Sequence, residues 1–536
     1  MQYYLSLQYS AIQKTVLRHD RLWSIAGVSQ ILSSMNEIEM RTITKEYHGT
    51  AIIAGGGKFT ARFNSRENAE MAKKAIIKLI STNLPMLEFQ ISSVVEAESL
   101  NKARIKTEIN GMPYPGLVHE LSEKKRCFRG YGVTFNPHFA VCGECEEYPA
   151  EKGFYAPEDR RLCRICGSAR EAARINLNGL KGKDEDALTS MEKIYREYIN
   201  HLNTDRDLHI PLLMEDMFPN KESKEEVGRI AVWMSDVNGM GDIIPFWLGQ
   251  PEDDIPKTFD NLKRLLIDAL TQSLKKVFSS KSILERDNVG FIPFRLIVAG
   301  GDDLCIVMPE EYILDFVANY SSEMKKRAEE ATTGRYGPAF TKKWLEEEAQ
   351  KAKKEAEKAG KSIEKKYSFN DISFGGSFIV TSIHTPFTKI HALGEELMSQ
   401  AKKATERKSN SVNWRILSAD EESVLDKKLK AERPLFIEES LNNNTLSFKE
   451  YIELRKKHKG ISGSHLHQIV NKMIEFNQDP EGLETWLLRL PDASKDNSAI
   501  SKMLSDERLK DSDRKQLNTA RLVTLFELIT LKKGNE

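Results

Sequence analysis

Three aspartates have spacing and surroundings that suit a metal-dependent reaction. Asp302 and Asp303 follow Gly300 and Gly301 between two apolar runs, and Asp236 ends another apolar run. The glycines predict a β-hairpin with both acids at its tip, because glycine permits tight turns and close backbone approach. If the strand that ends at Asp236 lies beside this hairpin, three carboxylates converge. Hard oxygen ligands of this kind suit Mg²⁺ or Mn²⁺.

Such a site is typical of nucleotidyl transfer. Bound metal lowers the pKa of an attacking ribose hydroxyl and stabilises the charge on the departing pyrophosphate. We therefore predict that Asp236, Asp302 and Asp303 are the catalytic, metal-binding residues. The alternative is a plain polar turn, since Asp and Gly are both favoured in turns. The strand that ends in Asp236 favours the metal site over that alternative.

Glycines and lysines near the acids are candidates for binding the phosphates of a nucleotide. The glycines after Asp236 either let the backbone approach a phosphate or form an ordinary loop at the strand end. The lysines at the end of a predicted helix either clamp a triphosphate or are ordinary surface residues. The predicted nucleotide contacts are Gly239, Gly241, Gly300, Gly301, Lys402 and Lys408, with Lys403 beside them.

Four cysteines form a second motif. Cys142 and Cys145 are one CxxC pair, and Cys163 and Cys166 are another, with 17 residues between the pairs. Two such pairs at this spacing predict a zinc ribbon, because four thiolates suit tetrahedral Zn²⁺ and leave no open coordination position. The predicted role is structural. Of the other two, Cys127 has no such partner, and Cys305 is expected to be a buried core residue.

An internal repeat would position the acids. Residues 51–59 and 296–304 both have an apolar strand, an Ala-Gly-Gly turn and a second strand. Their surroundings predict a β-α-β-β-α-β unit in each copy, which is the ferredoxin-like arrangement with its first strand beside its third. The first copy has Gly57 and Lys58 in place of the acids, so we expect that palm to be a structural partner. The predicted strands are at 3–9, 87–94, 229–236, 294–308, 374–383 and 411–418, and the predicted helices at about 10–36, 65–80, 258–279, 310–330 and 386–407.

The predicted fold class is therefore α+β. It comprises a degenerate ferredoxin-like palm (1–100), a linking helical segment with the zinc ribbon at 142–166 (101–225), a palm with the acids (226–425) and a C-terminal α-helical domain (426–536). In the last of these, Ser447 and Glu450 predict a capping box at a helix start. The Lys- and Glu-rich insert at 341–366 reads as a solvated helix.

Composition narrows the functional class. The chain has 536 residues, with 79 Lys+Arg against 79 Asp+Glu, which excludes a strongly basic nucleic-acid-binding tail. Its first residues form a strand-like run without a secretory signal pattern, and no stretch reaches the length of a membrane span. Paired cysteines at metal-ligand spacing fit a reducing compartment. We expect a soluble, cytoplasmic protein with no membrane partner.

Taken in order, these motifs resemble the large, palm-containing subunit of type III CRISPR effector complexes, most closely the III-B branch. The resemblance covers about residues 1–420 and includes segments 10–13, 20–27, 384–387 and 412–417 besides the motifs above. It implies a subunit that partners other proteins, guide RNA and target RNA. On target binding such a subunit converts ATP into cyclic oligoadenylate, with the acids of the Gly-Gly-Asp-Asp hairpin and Asp236 at the metals.

Two departures from the family pattern qualify that expectation. The N-terminal histidine–aspartate nuclease domain is missing, so DNA cleavage is not expected. His19 and Asp20 do not replace it, because such an enzyme needs further His and Asp ligands. Asn238 stands where a second acid is usual, which leaves the metal count and the acceptor open. Some nuclease-less III-B relatives join AMP to S-adenosylmethionine, and this product (SAM-AMP) stays an alternative.

The sequence disfavours two other functions. A diguanylate cyclase of the GGDEF type is disfavoured by the Gly-Gly-Asp-Asp-Leu hairpin, the duplicated palm and the ribbon. A catalytically inactive scaffold of the RNA complex is disfavoured by the three aspartates. His465 and His467, two residues apart, are expected to be surface residues, because they cannot share a helix face.

Overall fold

The computed structural model contains two large sheets and the helices that cover them. The residues that it describes are 1–10, 12–17, 21–55, 57–85, 87–104, 107–109, 112–114, 117, 121, 140–151, 153–154, 160–202, 204, 206–218, 228–240, 244, 248, 252–286, 289–300, 302–332, 372–407, 409–418, 421–422, 431–438, 445–457, 472, 475, 506–510 and 519–531.

The first sheet follows the predicted repeat. Its strands stand in the order β2-β3-β1-β4, and β5 also pairs with β1. The helix after the hairpin begins where the Ser65 side chain accepts a hydrogen bond from the backbone N–H of Asn68. Its buried residues recur at helical spacing, so one face covers the sheet. The elements are β1 (Gln2–Tyr9), α1 (Ile12–Val16), α2 (Leu22–Ser34), a π-helix (Met35–Glu39), α3 (Met40–Glu46), β2 (Gly49–Gly55), β3 (Lys58–Phe63), α4 (Arg66–Asn83), β4 (Phe89–Ile91), β5 (Val95–Ala97) and α5 (Leu100–Arg104).

The linking segment contributes two long helices and short strands. Strand β8 joins β10 and β11 in a separate three-stranded sheet that the sequence did not predict. The described elements up to the second repeat are β6 (Thr107–Ile109), β7 (Met112–Tyr114), α6 (Arg164–Ala173), α7 (Ser190–Leu202) and β8 (Leu208–His209).

The second sheet has the order β12-β13-β9-β14-β15-β16, and β17 pairs with β15. Its first four strands therefore repeat the order of the first sheet, and the third strand of the unit, β13, lies beside the first, β9, as predicted. Both hairpins also carry a register shift within the first strand, between Ala51 and Ile53 in β2 and between Leu296 and Val298 in β12. The elements are β9 (Arg229–Val237), α8 (Ile255–Val277), β10 (Leu284–Arg286), β11 (Val289–Phe291), β12 (Arg295–Gly300), β13 (Asp303–Pro309), α9 (Ile313–Thr332), β14 (Phe374–Ser382), α10 (Phe387–Ala404), β15 (Ser411–Ser418) and β16 (Glu421–Glu422).

The described residues of the C-terminal part include two α-helices and one short strand. The described elements are β17 (Leu435–Phe436), α11 (Phe448–Lys457) and α12 (Thr519–Ile529). The predicted capping box is present: Ser447 N–H donates to Glu450 Oε2 at 2.7 Å, and Glu450 N–H donates to Ser447 Oγ at 3.3 Å. The insert at 341–366 and most of 458–518 lie outside the described residues.

Apolar packing joins the two repeats. Leu5 of β1, Val232 of β9 and Phe387 of α10 belong to one buried cluster, which also includes Cys163 and Cys166. The odd-numbered residues of β9, such as Trp233, face a second cluster with α8 and α9. No helix in the described part of the chain is both long and apolar enough to cross a membrane.

Candidate active site and cysteine centre

The two strands that carry the predicted acids lie side by side. Asp303, the first residue of β13, is the antiparallel register partner of Asp236 near the end of β9. Val237 N–H also donates to the carbonyl oxygen of Asp302 at 3.3 Å. Residue i on one strand and its partner on the next project from the same face of a sheet. The carboxylates of Asp236 and Asp303 therefore share one face, as the sequence predicted.

Asp302 borders a different space. It lines a cavity of about 410 Å³ that also touches Ser6 of β1, Lys58 of β3 and Met240 beyond β9. The two hairpins of the repeat thus meet across this cavity. Burial raises the pKa of Asp302, and the positive charge of Lys58, which stands in the first repeat where the second has its acids, partly offsets that rise. The first repeat therefore lines the same cavity as Asp302.

Lys402 supplies the cation nearest to Asp236. Its ammonium forms an ion pair with Asp236 Oδ2. Its side chain lies over Gly375, where an added Cβ would come within 2.2 Å of Lys402 Cγ. Gly375 is also the register partner of Asp236 on β14. Glycine at this position therefore leaves the room through which the lysine reaches the carboxylate.

The acids repel one another. Burial, which removes water from the carboxylate, is the largest cause of the raised pKa of Asp302, and the negative charge of Asp236 raises it further. The pKa of Asp303 is also raised, first by loss of hydration and then by the negative charges of Asp302 and Asp236. The Asp303 side chain nevertheless stays exposed, so solvent weakens this effect. Carboxylates in this arrangement are stabilised by a cation.

The donor set fits a hard metal ion, although the three aspartates are not assembled as tightly as direct ligands of one ion. Among the described residues, only the four cysteines form a group of three or more potential ligands with all ligand atoms within 4.8 Å of one another. Trans ligands of Mg²⁺ lie about 4.2 Å apart. Binding one ion with all three carboxylates would therefore need side-chain rotations.

Only some of the predicted phosphate contacts lie within the described residues. Gly239 has φ +72°, a left-handed conformation that requires glycine after β9. Gly300 ends β12 and lines the groove beside Asp302. Lys403 lies in the last turn of α10. Gly241, Gly301 and Lys408 lie outside the described residues, as do His19, Asp20, Cys127, His465 and His467.

The Asn238 side-chain amide makes structural hydrogen bonds to neighbouring segments. Its Nδ2 donates to Ser373 Oγ at 2.9 Å and to the Ser409 carbonyl at 3.3 Å. Its side chain is 3% exposed. The amide therefore holds together the segments that precede β14 and β15. A buried aspartate at this position would meet a hydroxyl and a carbonyl oxygen, and the latter would repel it.

The four predicted cysteine ligands come together. The sulfur atoms of Cys145 and Cys163 are 3.8 Å apart, far beyond a disulfide bond. A tetrahedron with Zn–S bonds of about 2.3 Å has edges of about 3.8 Å, so the spacing fits zinc. None of the four forms a disulfide, and Cys163 also caps the start of α6, where its Sγ accepts the Cys166 N–H.

The cysteine cluster is connected to the acid hairpin through α6. Where α6 crosses α2, an added Cβ on Gly27 would lie 1.8 Å from the Ala169 carbonyl oxygen, so only glycine permits this approach. At the end of α6, the Ala173 carbonyl accepts a 3.0 Å hydrogen bond from Arg295, the first residue of β12. Arg295 is 1% exposed, and its charge meets the negative end of the helix dipole.

Three residues beside the hairpin were missed by the sequence analysis. Glu37 of the π-helix, Ser190 at the start of α7 and Lys263 of α8 are joined by hydrogen bonds and an ion pair. Glu37 is one of two acids in a helical run, and Lys263 is one of four lysines on α8. No spacing pattern distinguishes them, since the contact between Glu37 and Ser190 spans 153 residues.

Comparison with known proteins gives likeness at the level of structure only. No protein-family profile matches the chain, and no curated protein matches it. The chain is similar to Csm1 in the Csm1–Csm4 cassette in complex with cA3 (12% identity, TM-score 0.49) and in the apo cassette (13%, 0.48). It is also similar to Csm1 of T. onnurineus (12%, 0.46). Each match covers 98% of this chain and 69% of the other.

Other similar structures are Csm1–Csm4 cassettes in complex with cA4 and with one ATP. At 11–13% identity, residue roles do not transfer between the chains. The roles considered below follow from the residues of this chain.

Proposed function

We propose that this chain is a metal-dependent nucleotidyltransferase of the palm type and the large subunit of a type III CRISPR RNA-guided complex. In this proposal it uses ATP to make an adenylate second messenger, cyclic oligoadenylate, when target RNA is bound. The observation that carries the proposal is the opposition of Asp236 and Asp303 on neighbouring strands, beside a cavity lined by both repeats. Adenine and the RNA partners enter through the family resemblance.

Each residue has a distinct part in this proposal. Bound Mg²⁺ or Mn²⁺ would activate the ribose hydroxyl and neutralise the pyrophosphate. Asp236 and Asp303 would hold the metal from one face of the sheet, and Asp302 would face the cavity. Lys402 would exchange its carboxylate partner for a phosphate, and Lys408, which follows α10 in the sequence, would be a second nucleotide contact. The nucleotide would also contact the backbone at four glycines: Gly239, Gly241, Gly300 and Gly301.

The remaining architecture is part of the same proposal. The matching strand orders support two ferredoxin-like palms at 1–100 and 226–425. The linking segment, 101–225, would hold structural Zn²⁺ at Cys142, Cys145, Cys163 and Cys166, and 426–536 would be the C-terminal helical domain. A subunit that leaves most RNA contacts to its neighbours need not be basic overall, so the zero net charge is compatible with RNA partners. The expected partners, from the family resemblance, are guide RNA, target RNA and other subunits of the complex in the cytoplasm.

The test is product analysis. The complex is assembled on guide RNA and incubated with ATP and Mg²⁺ or Mn²⁺, with and without target RNA, and the products are identified by mass spectrometry. We expect cyclic oligoadenylate and pyrophosphate only with target RNA. The double substitution of Asp302 and Asp303 by Ala should abolish the product.

Two arms separate the alternatives. Adding S-adenosylmethionine distinguishes its AMP conjugate from oligoadenylate, because the acids and cavity are compatible with either acceptor. Replacing ATP by GTP tests base preference, which no contact of the described residues fixes. A complex that binds target RNA but makes no nucleotide under either metal would identify an inactive scaffold and refute the proposal.

A further inference from the structure

Glu37, Ser190 and Lys263, here called the cross-palm triad, join three parts of the chain next to the acid hairpin. The Glu37 carboxylate accepts from Lys263 Nζ at 2.8 Å and from Ser190 N–H at 2.7 Å. Its other oxygen accepts from Ser190 Oγ at 3.0 Å. Thus one acid from the first repeat contacts the start of α7 and a cation of the second repeat.

The environment makes this contact costly to break. The Glu37 side chain is 8% exposed and the Lys263 side chain 20% exposed. A buried carboxylate is tolerated only when hydrogen bonds and opposite charge compensate for lost hydration. Here an ammonium, a hydroxyl and a backbone N–H at a helix N-terminus provide that compensation. Removing the charge of Glu37 would leave Lys263 as a largely buried cation without this partner.

The triad lies at the proposed transfer site. An added Cβ on Gly300 would be 3.7 Å from Glu37 Oε1. Lys263 lines both the large cavity and a smaller groove that contains Gly300, Asp302 and Asp303. Glu37 itself belongs to a π-helix, an irregularity that is frequent at functional sites. Its carboxylate is fully engaged by Ser190 and Lys263, so it is not available as a general base.

We propose that Glu37 is a positioning residue that holds the Lys263 ammonium beside the acid hairpin, where Lys263 binds the phosphates of the nucleotide. This inference rests on the proposed function, and it gives the first repeat, which lacks the aspartates, a part in that function. A fixed cation needs no reorganisation when negative charge develops in the transition state. Protein kinases use a Lys–Glu ion pair to position a phosphate-binding lysine by the same principle.

Substitutions of both charged residues test this inference in the assembled complex. Glu37→Gln keeps an oxygen for Ser190 but removes the charge, and Lys263→Met keeps the apolar stem. Each should lower kcat/KM for ATP by about 10²-fold, as for loss of one preorganised donor. Because Glu37 acts through Lys263, the double variant should be no worse than Lys263→Met alone. Lys263→Arg should retain more activity than Lys263→Met.

A second measurement compares ATP binding with AMP binding. A purely structural role of the triad would not change the difference between the two affinities. Lys263→Met and Glu37→Gln should weaken ATP binding about tenfold or more and leave AMP binding almost unchanged. Glu46→Gln, at an exposed position on α3 of the same repeat, is the matched control and should behave as wild type.

Several outcomes would overturn the inference. These are multiplicative losses in the double variant, equal losses of ATP and AMP binding, or normal kinetics in Glu37→Gln. If the wild-type complex makes no nucleotide product, the proposed function fails, and the ATP–AMP binding difference alone decides the role of the triad.

Discussion

Replacing Asp303 by Asn should stabilise the fold while it destroys the activity. In the absence of metal, Asp303 and Asp236 are like charges on directly opposed positions, which destabilises a sheet. Asparagine has nearly the same shape as aspartate but carries no charge. The gain in stability and the loss of function should therefore come from the same atom change.

The magnitude follows from the register. Opposed side chains have Cβ atoms about 5 Å apart, where two unit charges repel by about 3 kcal/mol at a dielectric constant of about 20 and by about 1 kcal/mol in water. Asp303 is exposed, and Lys402 already pairs with Asp236, so we expect the lower value. If the second repeat unfolds as one unit, about 1 kcal/mol corresponds to a Tm increase of about 2–4 °C.

Thermal unfolding in EDTA and then in Mg²⁺ measures both effects. Asp303→Asn should melt higher than wild type in EDTA, whereas Mg²⁺ should raise the Tm of wild type and have little effect on the variant. Nucleotide synthesis should fall by at least about 10²-fold. Asp186→Asn, at an exposed position, controls for the loss of one charge. A lower Tm of Asp303→Asn in EDTA, or an equal Mg²⁺ response in both proteins, would refute this reasoning.

Three further changes test other parts of the structure. Cys163→Ser should release bound zinc, measured by metal analysis, and lower the Tm, because a Cys₄ site loses a ligand and α6 loses its anchored start; unchanged zinc content would contradict the ribbon. Lys402→Met should weaken ATP binding and destabilise the metal-free fold by about 1 kcal/mol, because Asp236 loses its ion-pair partner; unaltered binding would remove Lys402 from the site. Burial lowers the pKa of His391 to about 4, so the folded chain binds its proton less tightly than the unfolded chain, and stability should fall as the pH drops from 6.5 towards 4. Glu395 lies 3.7 Å away and opposes this effect, so His391→Gln should reduce that loss by about 1–3 kcal/mol in denaturant titrations at each pH; parallel pH profiles would contradict it.

The order of the elements was predictable because it depends on local patterns. A continuous apolar run fixes a strand such as β9, and helical spacing fixes the buried face of α4. The Ala-Gly-Gly turns identified the repeat, and its strand order then required Asp236 to neighbour the hairpin. CxxC spacing likewise selected all four cysteines that converge. In each case the information lies within a few residues or in a repeated order.

Some local predictions failed for equally physical reasons. The three-stranded sheet of β8, β10 and β11 consists of strands of two or three residues, too short for a period of two to be visible. Residues 426–536 were predicted to be helical, but Leu435 and Phe436 form a strand because β15 offers an unpaired edge. Asn238 reads as a lost acid in sequence, yet its amide is used to bind Ser373 and the Ser409 carbonyl.

The sequence by itself determined which acids and thiols could bind metals, because residue type and short spacing define ligand chemistry. Only the tertiary structure decided what faces them. It brought Lys402 to Asp236, placed Lys58 in the cavity that Asp302 lines, and buried Glu37 against Lys263. These contacts join residues far apart in the chain, and their energy comes from shared burial and charge compensation. No local pattern records such pairings, since any lysine or glutamate on an exposed helix face looks the same until the sheets are packed.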